Sequence, residues 1–312
     1  MKTTLLNFKN VLFSACLLLC NFTMFNAQPT FQWAKQMGGN ATSYSDYGKA
    51  VTTDAFGNVY TTGIFAGVCD FDPGVGTYTM VNAGVSSNPN AYISKLDASG
   101  NFVWAKQITS NAPCFGRAIT IDASGNILIT GSFQLTADFD PSTGIFNLNS
   151  LGNNDIFVLK LDPSGNFLWA EGMGGVGDDN GYSIASDASG NVFSTGYYSG
   201  TADFDPGAAT YTLGTFGSNN STYISKLNSS GNFVWAKNFG GFVGNPSITG
   251  FGIKLDGLGN IYTAGVFAGQ IDFDPGPGPF TITAINADTF IAKLDASGNF
   301  LWAKSVDRKS VV

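Results

Sequence analysis

Histidine is absent from this 312-residue chain, and Glu171 is its single glutamate. Without imidazole, the sequence excludes Ser-His-Asp triads, Cys-His pairs and histidine metal centres. Charged residues make up only 12% of the chain, and the formal net charge at pH 7 is −7. An acidic surface with few cations does not suit nucleic acid or an anionic membrane as a partner.

Long apolar runs are also scarce, and the clearest one lies near the N-terminus, from Val11 to Leu19. This run is too short to span a bilayer stably, and Lys2 and Lys9 precede it. Together these features predict a secretory signal peptide over residues 1–27, with cleavage after Ala27. We therefore expect a secreted or outer-surface protein whose mature chain has no membrane span.

Cysteine is rare too, with four in the whole chain. Lipid anchoring at Cys20 is disfavoured, because Leu19 is larger than the residue a lipobox requires before its cysteine. Cys16 and Cys20 leave with the signal peptide, so Cys69 and Cys114 are the mature thiols. Export favours a disulfide between Cys69 and Cys114, and the alternative is a pair of buried free thiols.

Aromatic residues and glycine are abundant by contrast, at 14% of the chain and 40 residues. Tryptophan always opens the phrase Trp-Ala-Lys or, once, Trp-Ala-Glu, at Trp33, Trp104, Trp169, Trp235 and Trp302. The intervals between them are 71, 65, 66 and 67 residues. A nearly fixed period of this length indicates one supersecondary unit copied along the chain.

Each period contains two turn phrases that start with Asp or Asn and end in Gly-Asn. The first begins at Asp54, Asp122, Asp187 and Asp256, and the second begins at Asp97, Asp162, Asn228 and Asp295. Gly-Asn supplies the positive φ that a hairpin needs, and apolar, β-branched runs flank every turn. Four strands per period, apolar on both faces, predict an all-β fold in which four-stranded antiparallel blades stack as a β-propeller.

The periods define four complete repeats within a propeller region of residues 28–304. Their bounds are about 36–107, 108–172, 173–238 and 239–304, and a short tail follows at 305–312. An extra strand is expected at 31–35, ahead of the first repeat. Either the ring closes with four blades and one spare strand, or the sequence is a piece of a larger propeller.

The pattern Asp-x-x-Gly-Asn-(Val/Ile)-(Tyr/Phe/Leu)-x-Thr-Gly, followed by (Tyr/Phe)-(Ile/Val)-x-Lys-Leu-(Asp/Asn)-x-Ser-Gly-Asn-Phe-(Val/Leu)-Trp, closely resembles the bacterial SBBP β-propeller repeat. The resemblance covers about residues 31–304, and Ala264 replaces the threonine in the fourth copy. It implies a secreted or surface protein of Gram-negative bacteria and no catalytic residues. The segment from Leu96 to Trp104 is also similar to the tryptophan-docking phrase of quinoprotein propellers, which implies that each tryptophan packs against a neighbouring blade.

The motif Asp-Phe-Asp-Pro occurs once per period. Its carboxylates are Asp70 and Asp72, Asp138 and Asp140, Asp203 and Asp205, and Asp272 and Asp274. Two carboxylates with turn carbonyls offer hard oxygen ligands, so calcium is a candidate cofactor at these loops. The alternative is an Asx-turn that uses the same carboxylates as hydrogen-bond acceptors, with the phenylalanine buried in the blade.

Three further patterns have simpler interpretations. The Gly-Gly pairs at 38–39, 174–175 and 240–241 open long loops and are interpreted as sources of loop flexibility. Asp178 and Asp179 lie in one such loop, where adjacent acids are typical of a solvated segment. The repeated lysines alternate with the first residue of the second turn and predict cross-strand salt bridges, at Lys95, Lys160, Lys226 and Lys293.

The turn phrases are expected on one rim of the propeller, and the Asp-Phe-Asp-Pro and inter-repeat loops on the other. Variable loops on a rigid scaffold favour a binding or interaction role through the loop-rich rim. The expected partner is an extracellular glycan or an envelope protein. The alternative is an Asp-based polysaccharide lyase or hydrolase, which would need a cleft with clustered acids of perturbed pKa.

Overall fold

The computed structural model describes residues 31–39, 46–82, 88–215, 220–241 and 246–306. The predicted signal peptide and residues 307–312 of the predicted tail lie outside these ranges. The chain divides into two compact units, Met1–Ala34 and Lys35–Val312. Within the described ranges every strand belongs to the second unit, and no helix long and apolar enough to cross a membrane is found.

The second unit consists of short strands joined by turns and loops. The strands are β1 (Gly38–Gly39), β2 (Tyr47–Thr53), β3 (Val59–Phe65), β4 (Val68–Asp70), β5 (Thr79–Val81), β6 (Asn90–Leu96), β7 (Phe102–Gln107), β8 (Thr109–Ser110), β9 (Cys114–Ile121), β10 (Ile127–Phe133), β11 (Thr136–Asp138), β12 (Asn147–Asn149), β13 (Asp155–Leu161), β14 (Phe167–Gly175), β15 (Asn180–Ser186), β16 (Val192–Tyr198), β17 (Thr201–Asp203), β18 (Thr212–Gly214), β19 (Ser221–Leu227), β20 (Phe233–Phe239), β21 (Ser247–Leu255), β22 (Ile261–Asp272), β23 (Thr281–Leu294) and β24 (Phe300–Val306).

The longer strands form four-stranded antiparallel sheets in chain order, and short strands form two three-stranded sheets, β1-β4-β5 and β8-β11-β12. Sheet 1 is β2-β3-β6-β7, sheet 3 is β15-β16-β19-β20 and sheet 4 is β21-β22-β23-β24. Sheet 2 is β9-β10-β13-β14, and it continues through β17 and β18 into a six-stranded sheet. The all-β class and the four-stranded antiparallel sheets predicted from the sequence are confirmed.

The Asp-x-x-Gly-Asn phrases form the predicted turns. In the first of them, the carboxylate Oδ1 of Asp54 accepts hydrogen bonds from the backbone N–H groups of Phe56 and Asn58. Gly57 has a φ of 79°, a left-handed conformation that favours glycine. The same pair of carboxylate hydrogen bonds recurs in the other turns that begin with aspartate, so each hairpin reversal is encoded locally.

Consecutive sheets stack through their first strands: β2 contacts β9, β9 contacts β15, and β15 contacts β21. Four of the five tryptophans, Trp104, Trp169, Trp235 and Trp302, lie at equivalent places, because each one is the cross-strand partner of the repeated lysine. A Cβ added to Gly165, in the second turn of sheet 2, would lie 3.2 Å from the Trp104 ring of sheet 1. The indole N–H of Trp169 likewise donates to the Ser229 carbonyl of sheet 3 at 3.1 Å. The tryptophan therefore packs on the next sheet, as the resemblance implied.

The strand predicted at 31–35 is not formed, because residues 31–37 lie outside any strand. In the other copies, the strand that carries the tryptophan pairs with the strand just before it in the chain.

The Gly-Gly pairs are sites of close strand pairing, and their interpretation as flexible loops is wrong. Gly39 pairs with Cys69, and a Cβ added to Gly39 would lie 2.0 Å from the Val68 carbonyl oxygen. Gly175 of β14 pairs with Ala202 of β17, in an outer hairpin, in the same way. Only glycine permits this approach, so these pairs join the start of a repeat to the outer hairpin of the same repeat.

Candidate functional site

The Asp-Phe-Asp-Pro motifs lie in outer hairpins, formed by β4 and β5, β11 and β12, β17 and β18, and the outer ends of β22 and β23. In the first of them, the Oδ1 atom of Asp70 accepts hydrogen bonds from the N–H groups of Asp72 and Tyr78, at 3.0 and 2.9 Å. The Oδ1 atom of Asp72 accepts the N–H of Gly74 at 2.8 Å. The other three motifs repeat these bonds, so both carboxylates of each pair organise the loop backbone.

The phenylalanine between the two aspartates is buried in every motif, at Phe71, Phe139, Phe204 and Phe273. Phe71 packs between Phe65 and Tyr92, with ring centroids 5.4 and 4.9 Å away. This arrangement matches the Asx-turn interpretation. No group of three or more acidic or cysteine side chains in the described ranges is placed to hold a metal ion, and calcium at these loops stays a prediction.

Cys69 and Cys114 are both buried free thiols, so the predicted disulfide is not formed. Cys69 packs with Phe65 and Phe71, whereas Cys114 packs in a separate apolar cluster with Phe133. Burial raises the pKa of both thiols to about 12, which keeps them protonated and unreactive. Each cysteine therefore acts as a small apolar side chain within its own cluster.

Two of the four repeated lysines, Lys160 and Lys293, form the predicted cross-strand ion pairs, with the first turn of their own sheet. The Nζ of Lys160 lies 2.9 Å from Asp122 Oδ2 in a buried pair, and Lys293 lies 3.5 Å from Asp256. Lys160 also donates to the Ser229 carbonyl of the next sheet at 3.2 Å. These lysines help to lock turns and adjacent sheets together.

The sequence predicted that Asp178 and Asp179 lie in a solvated segment, and this prediction is wrong. Asp179 is fully buried and accepts the N–H groups of Gly175 and Ser199, at 2.7 and 2.9 Å. Burial raises the pKa of Asp179 to about 7. Asp178 accepts the Tyr197 hydroxyl at 2.5 Å. These acids therefore belong to a built polar network.

A row of β-bulges is the feature that sequence reasoning missed. In the first strand of each sheet, a glycine pairs with a glycine of the second strand, and the residue after it is left out of the pairing register. These bulge residues are Lys49, Arg117, Tyr182 and Phe251. Bulges often re-aim side chains beside functional sites. The surrounding phrase, Gly-x-(Ala/Ser/Gly)-(Val/Ile), is visible in the sequence, and its x position changes in every copy.

Three of the bulge side chains contact one another across sheets. The Arg117 guanidinium lies 4.9 Å from the Tyr182 ring centroid and 5.2 Å from that of Phe115. The Tyr182 and Phe251 rings meet edge-to-face at 5.3 Å. Lys49 lies over its neighbour Tyr47 at 4.7 Å. We name Arg117, Tyr182 and Phe251 the bulge row.

Hydrogen bonds fix the bulge row to the Asp178 network. Arg117 Nη2 donates to Asn180 Oδ1 at 3.1 Å, and Asn180 Nδ2 donates to the Tyr197 hydroxyl oxygen at 3.0 Å. Burial, followed by the hydrogen bond to Asp178, raises the pKa of Tyr197. The Tyr182 and Tyr197 rings lie 5.8 Å apart. Charge, aromatic rings and hydroxyl are thus pre-arranged across the first strands of sheets 2, 3 and 4.

A second candidate is an acidic cavity of about 230 Å³ beside sheet 2. It is lined by Asp155, Glu171, Asp203 and Asp205, among others. Burial raises the pKa of Asp155 to about 6, and burial with the charge of Asp205 raises the pKa of Glu171 to about 7. Glu171 stands where the other tryptophan phrases carry lysine, so this cavity gains an acid and loses a base.

Two curated proteins are similar in sequence to parts of this chain. An uncharacterized WD repeat-containing protein of Acanthamoeba polyphaga mimivirus is 23% identical over 88% of this chain. The regulatory protein FlaEY of Caulobacter vibrioides is 21% identical over 45% of this chain. The matched regions span only 23% and 14% of the lengths of these two relatives.

Among solved structures, the Neurospora crassa Pan2 WD40 domain is 12% identical, with 81% of this chain and 87% of that domain covered and a TM-score of 0.28. A Bacteroides caccae protein of unknown function is 10% identical, with 70% and 92% covered and a TM-score of 0.22. The family model described as a β-propeller repeat, SBBP, matches residues 32–63. Residues 32–63 of this chain therefore carry the SBBP β-propeller repeat.

Proposed function

We propose that this protein is an exported β-propeller that acts as a binding scaffold rather than an enzyme. The bulge row carries the proposal: one strand position per repeat varies in side chain while the frame around it is constant. Such variation on a rigid scaffold is the usual arrangement of a recognition surface. The signal sequence and the SBBP repeat support export to the cell surface or beyond.

The chemistry of the bulge row favours a protein partner, and the envelope protein expected from the sequence is the first candidate. Arginine and tyrosine are the residues that most often dominate binding energy at protein interfaces. The edge-to-face contact between Tyr182 and Phe251 orders the aromatic rings before binding, which reduces the entropy lost on association. An extracellular glycan, which stacks on exposed aromatic rings, is the alternative partner.

A pull-down separates these partners. The exported protein is immobilised and exposed in parallel to solubilised envelope proteins and to a panel of surface polysaccharides. We expect Arg117→Ala and Tyr182→Ala to reduce capture of the protein partner at least tenfold. Leu258→Ser, in the exposed turn between β21 and β22, is the control and should bind normally. Capture unaffected by either bulge-row variant contradicts the proposal.

The acidic cavity favours a second function, an Asp- or Glu-based polysaccharide lyase or hydrolase. A carboxyl with a pKa near 7, as at Glu171, is suited to general acid catalysis at neutral pH. The test is release of reducing or unsaturated ends from polysaccharides by the pure protein. Glu171→Gln should abolish it, and Lys237→Gln, at the equivalent place in sheet 3, should not. No release by the unaltered protein contradicts this function.

A further inference from the structure

The outer faces of sheet 1 and sheet 4 are two halves of an interface that recurs inside the chain. We propose that two copies of the protein bind head to tail, with sheet 4 of each copy packed on sheet 1 of the other. This inference rests on the repeated packing between sheets and is independent of the proposed binding role of the bulge row.

The first half of the interface is the uncovered face of sheet 1, centred on Val51. Val51 is 65% exposed, whereas the residues at its position in sheets 2, 3 and 4 are 7%, 3% and 1% exposed, at Ile119, Ile184 and Ile253. Each buried isoleucine is covered by the preceding sheet; Ile119, for example, clusters with Tyr60 and Ile93 of sheet 1. Val51 lacks only such a sheet.

A glycine beside this position records how closely the sheets approach. A Cβ added to Gly116 would lie 2.3 Å from the Thr62 hydroxyl of the preceding sheet. The corresponding distances are 2.4 Å from Gly181 to Thr130 and 2.6 Å from Gly250 to Thr195. Gly48 occupies this place in sheet 1, where its nearest non-adjacent side-chain atom is the hydroxyl of Tyr92 in its own sheet. Sheet 1 therefore keeps the glycine that receives a preceding sheet.

The second half of the interface is the uncovered face of sheet 4, centred on Ile291. Ile291 is 41% exposed, whereas Ile93, Val158 and Ile224 at the same position are fully buried. Trp302 is also 36% exposed, whereas Trp104 contacts Gly165 and Trp169 bonds to Ser229 in the turn of the next sheet. Ala264 takes the place of the threonine that contacts the next glycine, which leaves an apolar surface there.

A second copy supplies both missing halves at once. At one contact, sheet 1 of the first copy covers the exposed face of sheet 4 of the second copy. At the other contact, sheet 1 of the second copy covers the exposed face of sheet 4 of the first. Such a heterologous contact closes into a ring when the rotation per sheet allows it, and two copies would give eight sheets. Eight lies within the usual range of blades in propellers. Removal of the two exposed apolar faces from water supplies the free energy for the association.

The mass of the protein in solution tests this inference. Sedimentation equilibrium should give twice the chain mass, and Val51→Asp or Ile291→Asp should halve it. Both positions are exposed, so the variants should keep the far-UV circular dichroism and melting curve of a folded monomer. Ile285→Asp is the control, because Ile285 is 97% exposed on the outer hairpin of sheet 4 and should leave the dimer intact. If the unaltered chain stays a monomer over the whole range of protein concentrations measured, the inference is overturned.

Mixing the two variants identifies the direction of the contact. Val51→Asp keeps an intact sheet 4 face, and Ile291→Asp keeps an intact sheet 1 face, so a mixture should recover a dimer through one contact. If only Val51→Asp or only Ile291→Asp changes the mass, the face that carries the effective substitution pairs with the same face of the second copy. That result also overturns the head-to-tail arrangement.

Discussion

The guanidinium of Arg117 lies 4.9 Å from the ring centroid of Tyr182, although the two residues come from the first strands of different sheets. Both are β-bulge residues, so each is displaced from the regular pairing of its strand. A cation held over an aromatic face and shielded from water contributes up to about 2 kcal/mol. The contact thus couples two repeats at the surface that we propose binds a partner.

Trp169→Ala should destabilise the protein by about 3–5 kcal/mol, because it removes a ring packed on the next sheet and a hydrogen bond to Ser229. Chemical denaturation monitored by circular dichroism measures the change. Trp302→Ala is the matched control, since its ring has no following sheet within the described part of the chain and should cost clearly less. Both variants are compared in the Val51→Asp background, which is expected to be monomeric and so leaves the Trp302 ring uncovered. Equal losses for the two variants would contradict the docking role.

Three acids with raised pKa values should make the free energy of unfolding fall as the pH rises from about 4 to 7. Burial raises the native pKa of Asp155 to about 6 and of Asp179 to about 7, so the native state binds protons that the unfolded chain releases above about 4. Burial and the charge of Asp205 act likewise on Glu171. Urea unfolding at about pH 5 and pH 7.5 measures the slope.

Asp155→Asn should flatten part of that slope. Asparagine imitates the protonated acid, and Asn90 already occupies the equivalent position in sheet 1. Asp122→Asn is the contrast: its hydrogen bonds to Asn126 and Lys160 lower its pKa despite burial, so its contribution is lost only in more acid solution. A slope unchanged by Asp155→Asn would place the titration elsewhere.

The calcium hypothesis predicts that a chelator lowers the melting temperature and that excess calcium restores it. Asp203→Asn should weaken this response, while the amide oxygen can still accept the hydrogen bonds that Asp203 accepts from Asp205 and Tyr211. Asp187→Asn, in an Asp-x-x-Gly-Asn turn, is the control. A melting temperature indifferent to chelator would leave these loops as hydrogen-bonded turns alone.

Thiol labelling should distinguish free cysteines from a bridge. In the exported chain, Cys69 and Cys114 should resist labelling when native and react fully after denaturation without reductant, because both are buried and unbridged. Cys114→Ala should halve the denatured signal and cost little stability. If the denatured protein reacts only after reduction, the two cysteines are bridged and the free-thiol assignment is wrong.

Several elements were predictable because their causes are local. The Asp54 carboxylate and Gly57 sit within one turn, so four neighbouring residues suffice to predict the reversal. The Asp-Phe-Asp-Pro motif was less decisive, because the same two carboxylates suit a metal or a turn until their acceptor bonds are seen. The Gly-Gly pairs misled for a related reason: glycine permits both flexibility and close approach, and Val68 near Gly39 decides between them.

The sequence by itself determined the repeat, the hairpin turns and the strands, since turn propensity and side-chain alternation act between near neighbours in the chain. Tertiary structure alone decided that Cys69 and Cys114 stay apart, that Asp178 and Asp179 are held in a network, and that Arg117, Tyr182 and Phe251 meet. Those outcomes depend on how one sheet is placed against the next, across some 65 residues of chain, and spacing along the sequence does not specify a distance between sheets.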